Sequence, residues 1–412
     1  MQQLSTEQAP VSQSPTLPQL QDGKTAATVD RGRLSLLAVG HAVTDMYGQS
    51  LLSPMLPDIE RRLSLTKADI GALPLMMGLT ASLAQPLFGW VSDRLPRVCM
   101  VALGPVVAAL FIGFVGHARS YWELAALMFM AGIGIGAFHP QGATLARAAG
   151  RGSSLAMSAF TVGGNVGFGL APIMGQFFVA TFGPERLYLA SLPALLFAAA
   201  MAYSFYTRGY GDGRPVARAV SPAAGPGNPR ALAALTGTVV IRSAVQIGII
   251  TFLPFLVESL YPQEDWTTAK SLSVSAFLLA SAAAGPLGGL LADRFGRKRL
   301  MLWSFLAAPW PMLLAFQVPG GALIALLAVG AFILMLPHPG NVVLAQELMP
   351  RSAGIAASMI TGLAWGLAHI AAWPLGWIAE QSGVGLTLQG LCLVPLLGAP
   401  LVFPIPARTA ES

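Results

Sequence analysis

Two short stretches decide the architecture of this chain: Gly89-Trp-Val-Ser-Asp93-Arg94-Leu-Pro96-Arg97 and Gly289-Leu-Leu-Ala-Asp293-Arg294-Phe-Gly296-Arg297-Lys298. They lie 200 residues apart, and each ends an apolar run, Gln85-Pro86-Leu87-Phe88 before the first and Gly285-Pro286-Leu287-Gly288 before the second. The same offset pairs Pro54 with Pro254 and Gly48 with Gly248, and an offset of 199 pairs His139-Pro140 with His338-Pro339. One match arises easily by chance; the whole set in register reads as an internal duplication. In a membrane chain such a duplication marks alternating-access carriers, whose halves rock about a site between them.

The residues around these stretches supply the membrane. Of 412 residues, 54% are hydrophobic and 10% charged, where a soluble domain carries about 25% charged residues to keep its surface wet. Apolar runs occupy 34–57, 70–91, 98–116, 121–147, 154–182 and 187–206, then 232–258, 268–292, 300–318, 321–347, 354–380 and 386–404. Each is long enough for a helix to cross a hydrocarbon core about 30 Å thick. The expected fold is an all-α polytopic membrane protein, twelve transmembrane helices in two six-helix bundles, 34–206 and 232–404. Between them, 207–231 is rich in Gly, Pro and Arg, the composition of a flexible linker. Residues 1–33, rich in Gln, Ser, Thr and Pro, and 405–412 read as tails; the first has no apolar core to mark a cleaved signal.

Charge placement sets the orientation. With twelve spans, both termini share one side, and most of the 24 Lys and Arg residues fall there. On the other side stand Arg61, Arg62, Lys67, Arg119, Arg186 and Lys270, and Arg242 lies within a span. The positive-inside rule then places both termini in the cytoplasm. The net charge of +6 is thereby explained as topology, with the lipid bilayer as partner and no nucleic acid. Cys99 and Cys392 sit in apolar spans of different halves and read as small packing residues rather than a disulfide or metal site.

The stretch Gly289–Lys298 is similar to the signature loop of the major facilitator superfamily, and Gly89–Arg97 to a degenerate copy with Pro96 where that family has Gly. The resemblance implies a conformational latch at the cytoplasmic face made by Gly89, Asp93, Arg94, Gly289, Asp293, Arg294 and Arg297. More narrowly, the chain resembles the fosmidomycin resistance proteins. The shared stretches are His41-Ala-Val-Thr-Asp45, Phe138-His139-Pro140 through Ala146-Arg147, Val162-Gly163-Gly164-Asn165-Val166-Gly167 and Ala345-Gln346-Glu347-Leu348-Met349-Pro350. That likeness, running from His41 to Gly376, implies proton-driven antiport of antibiotics or related small molecules across a bacterial inner membrane. The segment Gly167–Gln176 resembles the antiporter motif of drug exporters, with Ala171 and Gln176 replacing two glycines; tight helix packing is the alternative reading. The fourth span lacks the membrane arginine common in such exporters.

Ionisable groups deep in a bilayer are costly and mark function. Asp45 lies near the middle of the first span with His41 one turn earlier on the same face, the arrangement of a proton-coupling pair. Arg242, in the seventh span, is placed to clamp a phosphonate, phosphate or carboxylate, or to pair with Asp45 across the cavity. Gln246, Tyr47, Gln49, His139, His338 and Asn165 complete the candidate substrate-binding set. No phosphate-binding loop, metal-ligand cluster or Ser/His/Asp set appears in the sequence, so neither cofactor nor enzymatic activity is expected. The reading is a monomeric, proton-coupled efflux carrier for a small drug-like or anionic molecule. The alternatives are an importer of a small organic anion or sugar and, in another class, a membrane-embedded enzyme or sensor.

Overall fold

The computed structural model describes residues 29–91, 97–151, 153–208, 227–260 and 267–407, and every regular element among them is a helix. Ten segments are long and apolar enough to cross a membrane. They are α2 (Lys67–Val91), α3 (Arg97–His117), α4 (Tyr121–Ala149), α5 (Ala156–Phe182), α6 (Pro184–Thr207), α7 (Pro229–Leu260), α8 (Thr268–Phe295), α10 (Gly321–Leu348), α11 (Pro350–Ser382) and α12 (Val384–Val402). Two more, α1 (31–63) and α9 (297–315), are broken into shorter pieces, giving an order consistent with twelve spans. α1 starts at Arg31, ahead of the expected boundary, because the Asp30 side chain caps it by accepting from the Arg33 N–H at 3.0 Å. Most of the expected tails and linker, and Asp93 and Arg94 of the first signature copy, lie outside the described residues.

Small residues set the packing inside the first half. A side chain at Gly163, Gly167 or Gly175 of α5 would strike the backbone oxygens of Ala38, Ala42 or Leu51 in α1, at 2.3, 2.0 and 2.6 Å. The exporter-like motif on α5 therefore serves close helix contact. This is how helices associate where lipid removes the hydrophobic drive between them. Leu83, Trp122, Tyr203, Leu290, Trp310 and Leu386 are exposed on the outside, an apolar coat suited to lipid.

Three of the helix pairs along which the halves meet define the seam. Gly71 and Gly376 put α2 and α11 in backbone contact, against Ala372 and Lys67 respectively, and Gly169 of α5 meets Leu279 of α8. In the third pair, α1 with α7, the Ser53 hydroxyl donates to the Ile250 carbonyl. Beyond it Arg61 pairs with Glu258, Lys270 lies 3.6 Å from Asp58, and the Lys67 N–H donates to Glu380 at 2.7 Å. These groups sit at the end opposite the chain termini and draw the halves together there. A cavity of about 320 Å³ lined by Glu60, Arg61, Lys67, Phe255 and Glu258 opens at this rim.

At the terminus-bearing end stand the described members of the expected latch. A side chain at Gly89 or Gly289 would meet open space. Asp293 and Arg294 are exposed, with the Arg294 guanidinium 5.3 Å from the Phe295 ring. Arg297 donates to Glu347 at 2.6 Å, within the second half. Close approach falls one residue before Gly289, at Gly288, where a Cβ would lie 1.9 Å from the Leu336 oxygen.

Candidate functional site

Gly48 breaks α1 directly after Asp45: its backbone is extended, with φ −67° and ψ 175°, while its N–H still bonds the Asp45 carbonyl at 3.0 Å. Asp45 is thus carried on the last turn before the break, and its carboxylate is held from two helices. His41, one turn earlier, brings Nε2 to 3.3 Å from Oδ2; His139 of α4 brings Nε2 to 3.2 Å from Oδ1. Each histidine is fixed from behind. The Nδ1 of His41 donates to the Phe160 carbonyl at 2.8 Å and that of His139 to the Ile135 carbonyl at 2.9 Å. The His41 ring also stacks on Phe160, centroids 4.2 Å apart. Gly164 of α5 floors the group, for a Cβ there would lie 2.5 Å from His41 Nε2 and 2.6 Å from Asp45 Oδ2.

This geometry counts protons. A carbonyl oxygen can only accept, so both Nδ1 atoms carry hydrogen. A neutral imidazole then presents a lone pair at Nε2, facing the lone pairs of the carboxylate. Each Nε2–O contact becomes favourable only with a proton in it, on nitrogen or on oxygen. The group has room for up to two such protons, and its net charge runs from −1 through 0 to +1 as they are added. His139, with 29% of its side chain exposed, is the most open member. Three such donors within 4.8 Å of one another also have the composition of a cation site, a cluster invisible in linear spacing; shared protons account for the contacts without an ion.

The second half offers the complementary charge. Arg242 of α7 is 3% exposed, and its Nε and Nη1 meet no hydrogen-bond partner among the described residues. Other unsatisfied buried atoms stand on the same helix or on helices packed against it: Ser243 Oγ and Gln246 Oε1 on α7, Ser275 Oγ on α8, His338 Nδ1 on α10, and both amide atoms of Gln49 on α1. A buried guanidinium whose Nε and Nη1 lack partners costs on the order of several kcal/mol, and those N–H groups are free to donate to a hydrogen-bond acceptor.

Several expectations change. Arg242 does not pair with Asp45, whose carboxylate is occupied by the two histidines of its own half. Tyr47 does not line the cavity: it is 1% exposed and its hydroxyl donates to the Ala190 carbonyl at 2.7 Å. His139, expected in the substrate set, meets the Asp45 carboxylate. Asn165 is half-buried beside Gly164, with no hydrogen bond among the described residues. Pro140 does not interrupt α4, whereas α10 is broken just before His338. Phe160 was missed altogether, since its contribution is a backbone carbonyl and a ring face that no motif announces.

The comparisons with known proteins agree with this architecture. Residues 41–372 match the family model described as Major Facilitator Superfamily. The chain is 30% identical over 392 residues to an uncharacterized MFS-type transporter of Bacillus subtilis (strain 168), covering 91% of this chain and 92% of that one. It is 29% identical to the fosmidomycin resistance protein of Escherichia coli (strain K12), covering 92% of this chain and 94% of the relative. In fold it is similar to a bacterial homologue of the human lysosomal transporter Spinster in an inward-facing and occupied conformation. The TM-score is 0.75 at 15% identity, over 92% of this chain and 97% of that one. The family model's reach and the duplicated helical halves lead to one conclusion: this chain is a transporter of the Major Facilitator Superfamily.

Proposed function

We propose that this transporter couples proton movement to the export of a small organic anion by alternating access. The observation that carries the reading is the pairing of two unlike buried sites. One is a carboxylate bridged by two histidines in the first half, and the other an unpartnered arginine in the second. The first stores protons, the second calls for an anion, and they sit in the halves that move relative to each other. Residues 34–206 and 232–404 are the two moving bodies, acting within a monomer. The charge asymmetry supports cytoplasmic termini, which would set the Arg61–Glu258 rim on the outer side. The name of the Escherichia coli relative, a fosmidomycin resistance protein, supports export and a drug-like cargo.

A specific observation favours a second reading. Because Arg242 and Asp45 are not paired, anion and proton do not compete for one partner, and cotransport into the cell is open to the same residues. Transport in proteoliposomes under an imposed pH gradient decides between them. Export predicts that a phosphonate or carboxylate moves against the proton flow, and cotransport that it moves with it. Anion flux indifferent to the gradient removes proton coupling from the mechanism.

A further inference from the structure

Between the polar layer and the outer seal lies a pair of rings that no part of the proposed mechanism uses. Phe168 of α5 and Trp365 of α11 meet edge to face across the halves, centroids 6.3 Å apart and planes at 73°. Both are half-buried. Phe168 stands one turn beyond Gly164, the floor of the proton group, and lies against Gly48 at the break of α1, where a Cβ would come within 3.1 Å of its ring. Trp365 packs on the small cluster of Ala244, Ile247, Ala368 and Ala372, with Val240 on the same cluster. Val240 and Ala244 bracket Arg242 along α7, which puts the indole within about a turn of the guanidinium in height. The Ser53–Ile250 contact closes the path two turns further along α7 from Arg242.

We propose that the anion carried is amphiphilic, with an aromatic ring: an aryl carboxylate or arylphosphonate whose anionic group sits on Arg242 and whose ring stacks against Trp365 and Phe168. This rests on the reading of Arg242 as an anion site and narrows its substrate class. Two features of the pair suit it to a ligand ring. It is held edge to face, an arrangement aromatic groups share readily with a third ring, and each member belongs to a different half, so a ring lodged between them touches both moving bodies at once. Phe160 and Phe138, by contrast, pair fully buried within one half. A ligand reaching both halves also links their separation to occupancy, as a carrier requires.

The test is equilibrium binding to the purified full-length protein in detergent, by calorimetry, with benzoate, phenylphosphonate, cyclohexanecarboxylate and methylphosphonate as probes. The aromatic anions should bind at least fivefold more tightly than their non-aromatic partners. Trp365→Ala and Phe168→Leu should each remove most of that preference, Trp365→Phe should retain it, and Arg242→Ala should weaken all four probes. Circular dichroism and thermal melting check that each variant is folded. Equal affinity for benzoate and cyclohexanecarboxylate, or a preference that survives both ring variants, overturns the aromatic proposal while leaving the anion site standing. Failure of every anion to bind overturns the anion site and the aromatic proposal with it.

Discussion

Gly164→Ala is the smallest change that should uncouple this transporter. The added methyl would sit 2.5 Å from His41 Nε2 and 2.6 Å from Asp45 Oδ2, about 0.9 Å inside the 3.4 Å at which ordinary contact begins. The helix backbone at Gly164 is pinned by its neighbours, because Gly163 and Gly167 already abut α1. The yielding must come from the side chains. His41 cannot slide away without leaving its stack on Phe160 and its 2.8 Å bond to the Phe160 carbonyl. The His41–Asp45 contact, 3.3 Å as it stands, therefore opens. Losing one charge-assisted hydrogen bond costs about 1.5–3 kcal/mol, roughly ten- to a hundredfold in the affinity of that contact for its proton. Uphill transport in proteoliposomes should fall by a comparable factor, while substrate counterflow, which moves no net protons, should fall far less. Gly163→Ala is the matched control. Its methyl meets the Ala38 backbone oxygen at 2.3 Å, so it should lower the melting temperature through the α1–α5 packing and affect both transport modes alike. Wild-type uphill transport by Gly164→Ala would refute the account of the proton group.

Other changes separate the remaining parts. Asp45→Asn keeps the shape and removes the titrating charge, so gradient-driven accumulation should collapse while the protein still inserts; undiminished accumulation removes Asp45 from coupling. Arg242→Lys keeps the charge but loses the planar fork, and binding titrations should show anion affinity falling about tenfold, with Arg242→Ala costing more. Because Arg242 makes no direct contact with Asp45, the double change Arg242→Ala with Asp45→Asn should show a stability coupling of no more than about 2 kcal/mol, the scale of two charges acting across a cavity; a coupling of about 3–5 kcal/mol, the scale of a broken buried pair, would revive a direct pair. Glu258→Gln loosens the outer rim, so a cysteine introduced at Ser53 should react faster with an impermeant thiol reagent added from outside.

What the sequence disclosed and what it hid follow from the physics of each feature. Helix number, the duplication and the buried charges are one-dimensional signals: apolar run length, a fixed offset, and the rarity of Asp and Arg in such runs. His41 with Asp45 was readable because i and i+4 share a helix face. His139 is a candidate in the sequence, but its place beside Asp45 is not readable there, since only the packing of α4 on α1 brings it to the carboxylate. The expected Arg242–Asp45 pair had matching depth and opposite charge in its favour. It failed because two imidazoles within the same half meet both carboxylate oxygens first. Tyr47 misled for the opposite reason: a polar tip beside a site looks available until the Ala190 carbonyl claims its hydrogen.

Separate sites make a sharp prediction about linkage. Each proton added to the His41–Asp45–His139 group raises its charge by one, and each monoanion bound at Arg242 cancels one positive charge. Within one conformation the two events therefore help each other. For an illustrative separation of about 10 Å and an effective dielectric constant of about 20, Coulomb's law gives roughly 1.7 kcal/mol, or more than tenfold in affinity. Anion affinity of the detergent-solubilised protein should thus strengthen as pH falls, for a probe such as methylphosphonate, once changes in the probe's own ionisation are subtracted. Reciprocity requires that adding the anion at fixed pH draw protons from solution, which a weakly buffered pH indicator can register. Asp45→Asn should flatten both effects. An exporter with this linkage must place the exclusion of proton and anion in the rocking of the halves, because the sites themselves do not compete. A flat pH profile in the wild type would break the link between the two sites, and a profile that survives Asp45→Asn would assign it to another group.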